Sequence, residues 1–218
     1  MLTSINITTN QPCIKGKITR KQFKYKDQTK STHPLQLIHS GICGPMQNAS
    51  IGGSRYFVTF IDDYSRFTHV HFIKHKSDVF SVFHEDQALV TNKTGQTIGT
   101  LRSDGVGEYM PDKFEQYLCS EDNHHKMAVR YAPHQYGVAE KHNRTVCKAA
   151  RSMIIESELS KSFWAEAVST AVYVRNQVPT TTHKIMTAPY QLWYDHKPDI
   201  SILQVFCSTA YAHIPNKL

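Results

Sequence analysis

Two runs of β-forming residues, separated by a polar turn, dominate the first half of the chain. Residues 55–61 (RYFVTFI) and 67–73 (FTHVHFI) are rich in β-branched and aromatic side chains. Residues 62–65 (DDYS) supply the turn between them, and an apolar run at 35–39 is followed by a turn at Gly52-Gly53. The pattern predicts an antiparallel meander of three strands.

Helical and further β segments are expected after this meander. Apolar residues at helical spacing predict a helix from Ser77, as its N-cap, to Leu89. The other predicted elements are a strand at 97–103, a short helix at 111–118, a strand near 126–129, a helix with an apolar stripe over 146–154, and a helix at 163–178 that opens after Ser160 or Ser162. The 218 residues, 40% of them hydrophobic, therefore predict one mixed α/β core.

Composition excludes several other classes of protein. The chain contains no run of about 18 apolar residues, and its opening residues lack the layout of a secretory signal. Its five cysteines are scattered and odd in number, which argues against a disulfide framework. We therefore expect an intracellular protein, in the nucleus or the cytoplasm, that has no membrane partner.

Positive charge is concentrated near the beginning of the chain. Between Lys15 and Lys30, seven basic residues stand against Asp27 alone, so this segment carries most of the formal net charge of +7. Phe23 and Tyr25 are interleaved with the charges and could stack on bases. The segment is predicted either to bind DNA or to be a solvated linker. The residues assigned to DNA binding here are Lys15, Lys17, Arg20 and Lys21.

An ordered series of motifs extends over nearly the whole chain. The motifs are Cys43-Gly44-Pro45, 56–66 (YFVTFIDDYSR), 101–104 (LRSD), 137–140 (GVAE), 143–145 (NRT), 163–167 (FWAEA), and 192–193 (LW) with 197–199 (KPD). With these motifs the chain resembles the integrase catalytic core of copia-type retrotransposons, a part of the Pol polyprotein. The resemblance implies a ribonuclease-H-like fold, in which a mixed five-stranded sheet, with strands 1–3 as the antiparallel meander, is flanked by helices.

The resemblance also implies a catalytic triad of Asp, Asp and Glu that binds two Mg²⁺ or Mn²⁺ ions for DNA strand transfer. Two such cations can activate the attacking oxygen and stabilise the leaving oxygen, and hard cations require oxygen ligands. Asp104 and Glu140 are separated by 35 residues, the spacing of the family's Asp-Glu pair. They are the predicted catalytic and metal-binding residues, with Asp104 at the end of a strand and Glu140 in the first turn of a helix.

The first residue of the triad is missing. Gly41 stands where the family typically has aspartate, and glycine offers no side-chain oxygen to a metal. Asp62 or Asp63 could substitute only from the far end of the neighbouring strand. The family's zinc module is reduced to Cys13, and because a structural zinc site needs about four ligands, we expect no zinc.

Three functions remain open from the sequence. The favoured one is a catalytically impaired integrase core that still binds DNA; the others are an active polynucleotidyl transferase with a substitute carboxylate, and a non-catalytic interaction scaffold. Basic residues after Glu140 would meet a DNA backbone or form a solvated face with a Glu140–Arg144 pair. These residues are Lys141, Arg144 and Lys148.

The predicted organisation has three parts. Residues 1–33 form a basic arm left from a truncated zinc module, residues 34–180 form the catalytic core, and residues 181–218 extend the core at its C-terminal side. Trp164 and Trp193 are predicted to be core aromatics, with base stacking as the alternative. The chain is expected to be a fragment of a longer polyprotein and a possible homodimer.

Overall fold

The computed structural model describes residues 31–103, 124–127, 133–180 and 186–211. The strands are β1 (Ile38–Cys43), β2 (Tyr56–Asp62), β3 (Thr68–Ile73), β4 (Thr100–Ser103) and β5 (His124–Met127). The helices are α1 (Val79–Thr94), α2 (Pro133–Glu156), α3 (Trp164–Gln177) and α4 (Pro189–Tyr194), with short 3-10 turns at Lys76–Asp78 and Lys161–Phe163.

The strands form one mixed sheet in the order β3-β2-β1-β4-β5. The antiparallel pairs β1–β2 and β2–β3 confirm the predicted meander. The crossover through α1 brings β4 parallel to β1, and the short β5 adds parallel to β4. The mixed α/β fold predicted from the sequence is thus confirmed, with four strands forming the body of the sheet and β5 at its edge.

Helices cover both faces of the sheet. Val58 and Phe60 of β2 point into a cluster beneath α1 that includes Phe83. Phe57 points to the opposite face, where it meets a cluster formed largely by α2 and α3 that includes Val146. Successive side chains of a strand point to opposite faces, so a run such as β2 is apolar on both sides when both faces are covered.

Two helix starts differ in how well the sequence predicted them. The prediction that Ser77 caps the first helix is wrong, because a 3-10 turn begins at Lys76 and precedes α1. The N-cap of this turn is His75, two residues before Ser77, and the Asp78 carboxylate accepts a hydrogen bond from the His75 backbone N–H (3.0 Å). Of the two predicted starts, Ser160 and Ser162, it is Ser160 that caps the 3-10 turn leading into α3. The helix predicted at 111–118 lies outside the described residues.

Helix α2 begins earlier than the sequence predicted. It starts at Pro133, so Glu140 lies about two turns inside the helix and not in its first turn. Proline suits the first helical position because its fixed φ matches the helix and its missing N–H has no partner there. Gly137 inside the helix costs about 1 kcal/mol relative to alanine, which packing of the buried Ala139, Val146 and Ala150 offsets.

The two tryptophans pack against the core, as predicted. Trp193 of α4 stacks on Phe67, with ring centroids 5.1 Å apart and an interplanar angle of 10°. Trp164 packs against Phe57 and Phe72, and its indole N–H donates to the Asn48 carbonyl (3.1 Å). None of the helices in the described part of the chain has the length and apolar character needed to cross a bilayer.

Candidate functional site

Gly41 lies in the middle of β1, opposite Thr59 of β2, on the face that α2 covers. A Cβ added at Gly41 would lie 3.0 Å from the Ala139 Cβ and 3.1 Å from the Asn143 Nδ2. Both distances are shorter than ordinary van der Waals contact. A Cβ at position 41 would therefore require Ala139 and Asn143 of α2 to move by a few tenths of an ångström.

A buried hydrogen-bond network ties α2 to this point of the sheet. The Asn143 side-chain N–H donates to the Gly41 carbonyl (3.2 Å). The Thr59 hydroxyl donates to the Asn143 Oδ1 (2.8 Å) and also lies 3.3 Å from the Gly41 carbonyl. Asn143 is 7% exposed and Thr59 is fully buried, so these bonds satisfy polar groups that water does not reach.

Glu140 follows Ala139 on α2 and reaches solvent. Its side chain is 59% exposed, and its Oε1 accepts a hydrogen bond from the Arg144 Nη2 (2.6 Å). The predicted Glu140–Arg144 pair is therefore present, although an exposed pair of this kind stabilises a helix by only about 0.3–0.5 kcal/mol. The carboxylate remains accessible to a ligand.

Asp104, the other predicted metal ligand, lies outside the described residues. The preceding residue, Ser103, ends β4. The parallel register of β1 and β4 pairs His39 with Arg102, which lie two positions before Gly41 and Asp104 in the sequence. The described residues therefore place Ser103, the residue before Asp104, at the end of the strand that pairs with β1.

The described residues do not fit the first position of a two-metal centre. Gly41 supplies no side-chain oxygen, and Ala139 and Asn143 occupy the space beside it. Within residues 31–103, 124–127, 133–180 and 186–211, no group of three His, Cys, Asp or Glu side chains could hold a metal ion. The only predicted ligand that these residues display is Glu140.

Asp62 and Asp63, the possible substitutes for the missing aspartate, have structural partners. The buried Asp62 accepts hydrogen bonds from the Leu35 backbone (2.8 Å) and from both the backbone and the hydroxyl of Ser65 (2.6 Å each). Asp62 pairs with Ile38 in the register of β1 and β2, three positions from Gly41. At about 3.3 Å per residue this is roughly 10 Å along the strand.

Asp63 joins a buried ionic network at the same end of the strand. Its Oδ1 lies 2.8 Å from the His39 Nε2 and 3.0 Å from the Arg66 Nη1, and its Oδ2 accepts from the Ser31 backbone (3.0 Å). Burial would raise the pKa of Asp63, but these hydrogen bonds and the Arg66 charge lower it well below its usual value. Burial lowers the pKa of His39. Neither aspartate is free to bind a metal at Gly41.

A stripe of four exposed cations runs along α2. Lys141, Arg144 and Lys148 were predicted to contact DNA, and Arg151 continues the same spacing of three and four residues. Residues with this spacing share one helix face. The stripe is about 15 Å long at 1.5 Å per residue. The basic-arm residues Lys15, Lys17, Arg20 and Lys21 lie outside the described residues.

Sequence reasoning missed the part played by Asn143, Thr59 and His142. Asn143 was visible only as part of a matched motif, and its bonds to two strands depend on contacts between residues 84 and 102 positions apart. His142 is 9% exposed, and its Nε2 has no hydrogen-bond partner. No pattern around these residues in the sequence marks them as buried polar groups.

Solved structures show the class of fold. The chain resembles the simian T-cell lymphotropic virus intasome, solved in complex with the PP2A regulatory subunit B56 gamma, with a TM-score of 0.61 at 16% identity over 87% of this chain and 63% of that chain. It also resembles the HTLV-2 integrase catalytic core domain in its dimeric form with magnesium, with a TM-score of 0.54 at 12% identity over 74% of this chain and 98% of that chain. The fold is that of a retroviral integrase catalytic core.

Sequence comparison gives the relatives. The chain is 41% identical over 213 residues to the retrovirus-related Pol polyprotein from transposon TNT 1-94 of Nicotiana tabacum, covering 96% of this chain and 16% of the relative. It is 30% identical over 182 residues to the corresponding polyprotein from transposon RE2 of Arabidopsis thaliana, covering 83% of this chain and 12% of the relative. No protein-family model matches the chain.

These findings confirm the resemblance that the sequence motifs predicted. The chain is a relative of the retrovirus-related Pol polyproteins of plant transposons, and it has the integrase-core fold, consistent with a copia-type integrase core. It spans less than a fifth of the length of these relatives.

Proposed function

We propose that the chain is a DNA-binding integrase core whose metal-dependent strand transfer is impaired. The observation that carries this proposal is Gly41 at the contact between β1 and α2. The position lies beside the helix that presents Glu140, yet it provides no carboxylate, and Ala139 and Asn143 fill the space next to it. Without a first carboxylate, the two cations that phosphodiester transfer requires lose a shared ligand.

The described part of the fold supports a DNA-binding function that does not require metal-dependent strand transfer. The sheet, its three covering helices and the buried Asn143 network are all in place around Gly41. Gly41 lacks one ligand, but no core residue is exposed by it and its own carbonyl accepts a hydrogen bond from Asn143. The impairment therefore concerns metal binding and leaves the fold able to present a surface to DNA.

The cationic stripe on α2 supports DNA binding. Lys141, Arg144, Lys148 and Arg151 are exposed along about 15 Å of helix, and Glu140 at the head of the stripe pairs with one of them. A DNA strand carries a phosphate about every 3.4 Å of helix axis, so such a stripe can neutralise several phosphates at once. The basic arm, with Lys15, Lys17, Arg20 and Lys21, would add to this surface.

DNA binding can be tested by measuring the salt dependence of affinity by fluorescence anisotropy. The double substitution Arg144→Gln/Lys148→Gln should weaken binding and reduce the slope of log K against log salt by about 2, because each lost phosphate contact removes about 0.9. Lys93→Gln, an exposed cation on the opposite face of the sheet, is the matched control and should leave the slope unchanged. Deletion of residues 1–30 measures the contribution of the arm.

The same measurement distinguishes the favoured function from an interaction scaffold. A wild-type chain without salt-dependent affinity for DNA would contradict the DNA-binding part of the proposal and favour the scaffold. An active transferase with a substitute carboxylate is disfavoured by the partners of Asp62 and Asp63, which hold both side chains at the far end of β2.

We also propose that the chain forms a homodimer. The support comes from the HTLV-2 integrase core structures with the same fold, of which one is a dimeric form and another a trimeric form. Light scattering coupled to gel filtration should give twice the mass of the chain. A mass equal to one chain at micromolar concentration would contradict this expectation.

A further inference from the structure

Two cysteine side chains meet where the end of β1 packs against the middle of α2. The Cys43 and Cys147 sulfur atoms lie 3.6 Å apart, although the two residues are 104 positions apart in the sequence. Both are free thiols, and both are half-buried beside the apolar cluster that includes Phe57 and Val146. The packing of a strand against a helix therefore holds the two sulfurs together.

The thiol pair continues the close contact that begins at Gly41. There β1 meets Ala139 and Asn143 of α2. Cys43 lies two positions beyond Gly41 and Cys147 four positions beyond Asn143, so each points to the same side of its element as the residue before it. Two residues of strand and four of helix both advance by about 6–7 Å. The strand and the helix thus stay in step, which brings the two sulfurs opposite each other.

Cys147 is the more reactive thiol of the pair. A hydrogen bond from the Cys43 thiol lowers the pKa of Cys147 to about 7, against the effect of burial and with the help of the Arg151 charge one turn further along α2. The same hydrogen bond raises the pKa of Cys43. Since the thiolate is the nucleophilic form of cysteine, Cys147 is prepared to attack at neutral pH while its partner lies within reach.

Positive charge lies next to Cys147 on the exposed side of the helix. Arg144, Lys148 and Arg151 are all exposed there. Glutathione disulfide has more carboxylates than amines, so these cations attract it to the thiolate. Cys207 is an exposed thiol in the segment after α4 and serves as an internal comparison.

We propose that Cys43 and Cys147 form a redox latch, in which a small disulfide such as oxidised glutathione joins them reversibly and so ties α2 to β1. The Cys147 thiolate attacks one sulfur of oxidised glutathione, which leaves a mixed disulfide and releases one glutathione. Cys43 then gives up its proton and attacks the Cys147 sulfur, and the second glutathione leaves. Two cysteine thiols are oxidised, one glutathione disulfide is reduced to two glutathiones, and the two cysteine protons pass to them.

The latch controls how firmly α2 is held to the sheet. This helix carries Glu140 and the cationic stripe, and the bond forms near its middle. A cross-link that closes a loop of about 100 residues restricts the unfolded chain strongly, and for a chain of this size the melting temperature should rise by roughly 5–15 °C. The inference goes beyond the proposed function and rests on neither DNA binding nor metal chemistry.

The test compares the full chain in reduced and in oxidised glutathione, by peptide mapping after alkylation and by thermal unfolding. In the wild type we expect Cys43 joined to Cys147 without retained glutathione, glutathione on Cys207, and a rise in melting temperature that dithiothreitol reverses. Cys43→Ser should retain glutathione on Cys147 and show no rise. Cys207→Ser is the matched control and should show the full rise. Each variant is compared with its own reduced form, so a less stable variant remains informative.

Hydrogen exchange distinguishes a latch on α2 from a general effect on stability. Amides of α2 and β1 should exchange more slowly in the joined chain, whereas those of α1, which covers the opposite face of the sheet, should change less. The charge beside Cys147 is tested by reaction rate. Arg151→Gln should slow the reaction of Cys147 with oxidised glutathione several-fold, and Lys93→Gln, an exposed cation on α1, should not.

Three results would overturn the proposal. They are stable glutathione on Cys147 of the wild type without a bond to Cys43, a joined chain whose melting temperature and α2 exchange do not change, and reaction of Cys147 no faster than that of Cys207. A chain that forms the latch but has no salt-dependent affinity for DNA would refute the proposed function and retain this inference.

Discussion

The packing of α2 against Gly41 predicts that even a single methyl group at this position destabilises the protein. In Gly41→Ala the new Cβ would lie 3.0 Å from the Ala139 Cβ and 3.1 Å from the Asn143 Nδ2. Overpacking a tight core costs about 1–3 kcal/mol, while replacing glycine in a compatible backbone recovers about 0.4–1 kcal/mol through the unfolded state. We expect a net loss of about 1–2 kcal/mol, or a melting temperature lower by roughly 2–8 °C for a chain of this size.

Removing the opposing methyl group should reverse part of this effect. Ala139→Gly alone should cost about 1 kcal/mol, mainly because glycine disfavours the helix. Combined with Gly41→Ala, it removes the closest contact, so the double variant should be more stable than the sum of the single effects by at least about 0.5 kcal/mol. Urea unfolding followed by tryptophan fluorescence measures all four free energies of unfolding.

A matched glycine provides the control. A Cβ at Gly52 would meet only the Ser50 Oγ, at 3.8 Å, so Gly52→Ala should change the free energy of unfolding by less than about 0.5 kcal/mol. If Gly41→Ala were as stable as the wild type, or if the double-variant effects were purely additive, the close contact between β1 and α2 would be refuted.

Three further predictions concern buried titratable groups. Burial lowers the pKa of His142 to about 3, so between pH 6.5, the unfolded-state value, and pH 3 only the unfolded chain takes up this proton and the free energy of unfolding falls with pH. Between pH 7 and 4.5 the free energy of unfolding of His142→Gln should therefore fall by about 2 kcal/mol less than that of the wild type, as measured by urea unfolding. The Cys43 and Cys147 sulfurs lie 3.6 Å apart, and the hydrogen bond from Cys43 lowers the pKa of Cys147 to about 7. Oxidised glutathione should therefore link the two cysteines in a disulfide. Mass spectrometry should find the joined peptides, and their absence would contradict the geometry. Asp86 is buried against two histidines of β3, at 2.6 and 3.0 Å, so Asp86→Asn should lower the free energy of unfolding by roughly 1–3 kcal/mol at pH 7, and no change in thermal unfolding would refute this role.

The sequence predicted the elements whose signal is local. The alternation and turn residues around Asp62 predicted the β2–β3 hairpin, and the serines at 160 and 162 predicted where the segment leading into α3 begins. The start of α2 was placed too late, because the loop before Glu140 was inferred from a motif and not from the helix-starting proline at 133.

The candidate site was only partly predictable. The absence of a carboxylate at Gly41 is visible in the sequence, but the way the chain fills the gap is not. The Asn143–Thr59–Gly41 network joins three elements that are distant in sequence, and its hydrogen bonds exist only after β1, β2 and α2 have packed.

Restoring the missing carboxylate requires room for it as well as the substitution itself. Gly41→Asp places a side chain against Ala139 and Asn143, so we expect Gly41→Asp/Ala139→Gly to accommodate it better than Gly41→Asp alone. Glu140→Gln is a suitable negative control, because Glu140 is exposed and its removal costs little stability.

The most direct test of the account is a DNA nicking and strand-transfer assay with Mg²⁺ or Mn²⁺. We predict no metal-dependent activity in the wild type or in Glu140→Gln, and activity that appears in Gly41→Asp/Ala139→Gly and disappears when Glu140→Gln is added. Metal-dependent activity in the wild type that is lost in Glu140→Gln would contradict the claim that Gly41 disables this core.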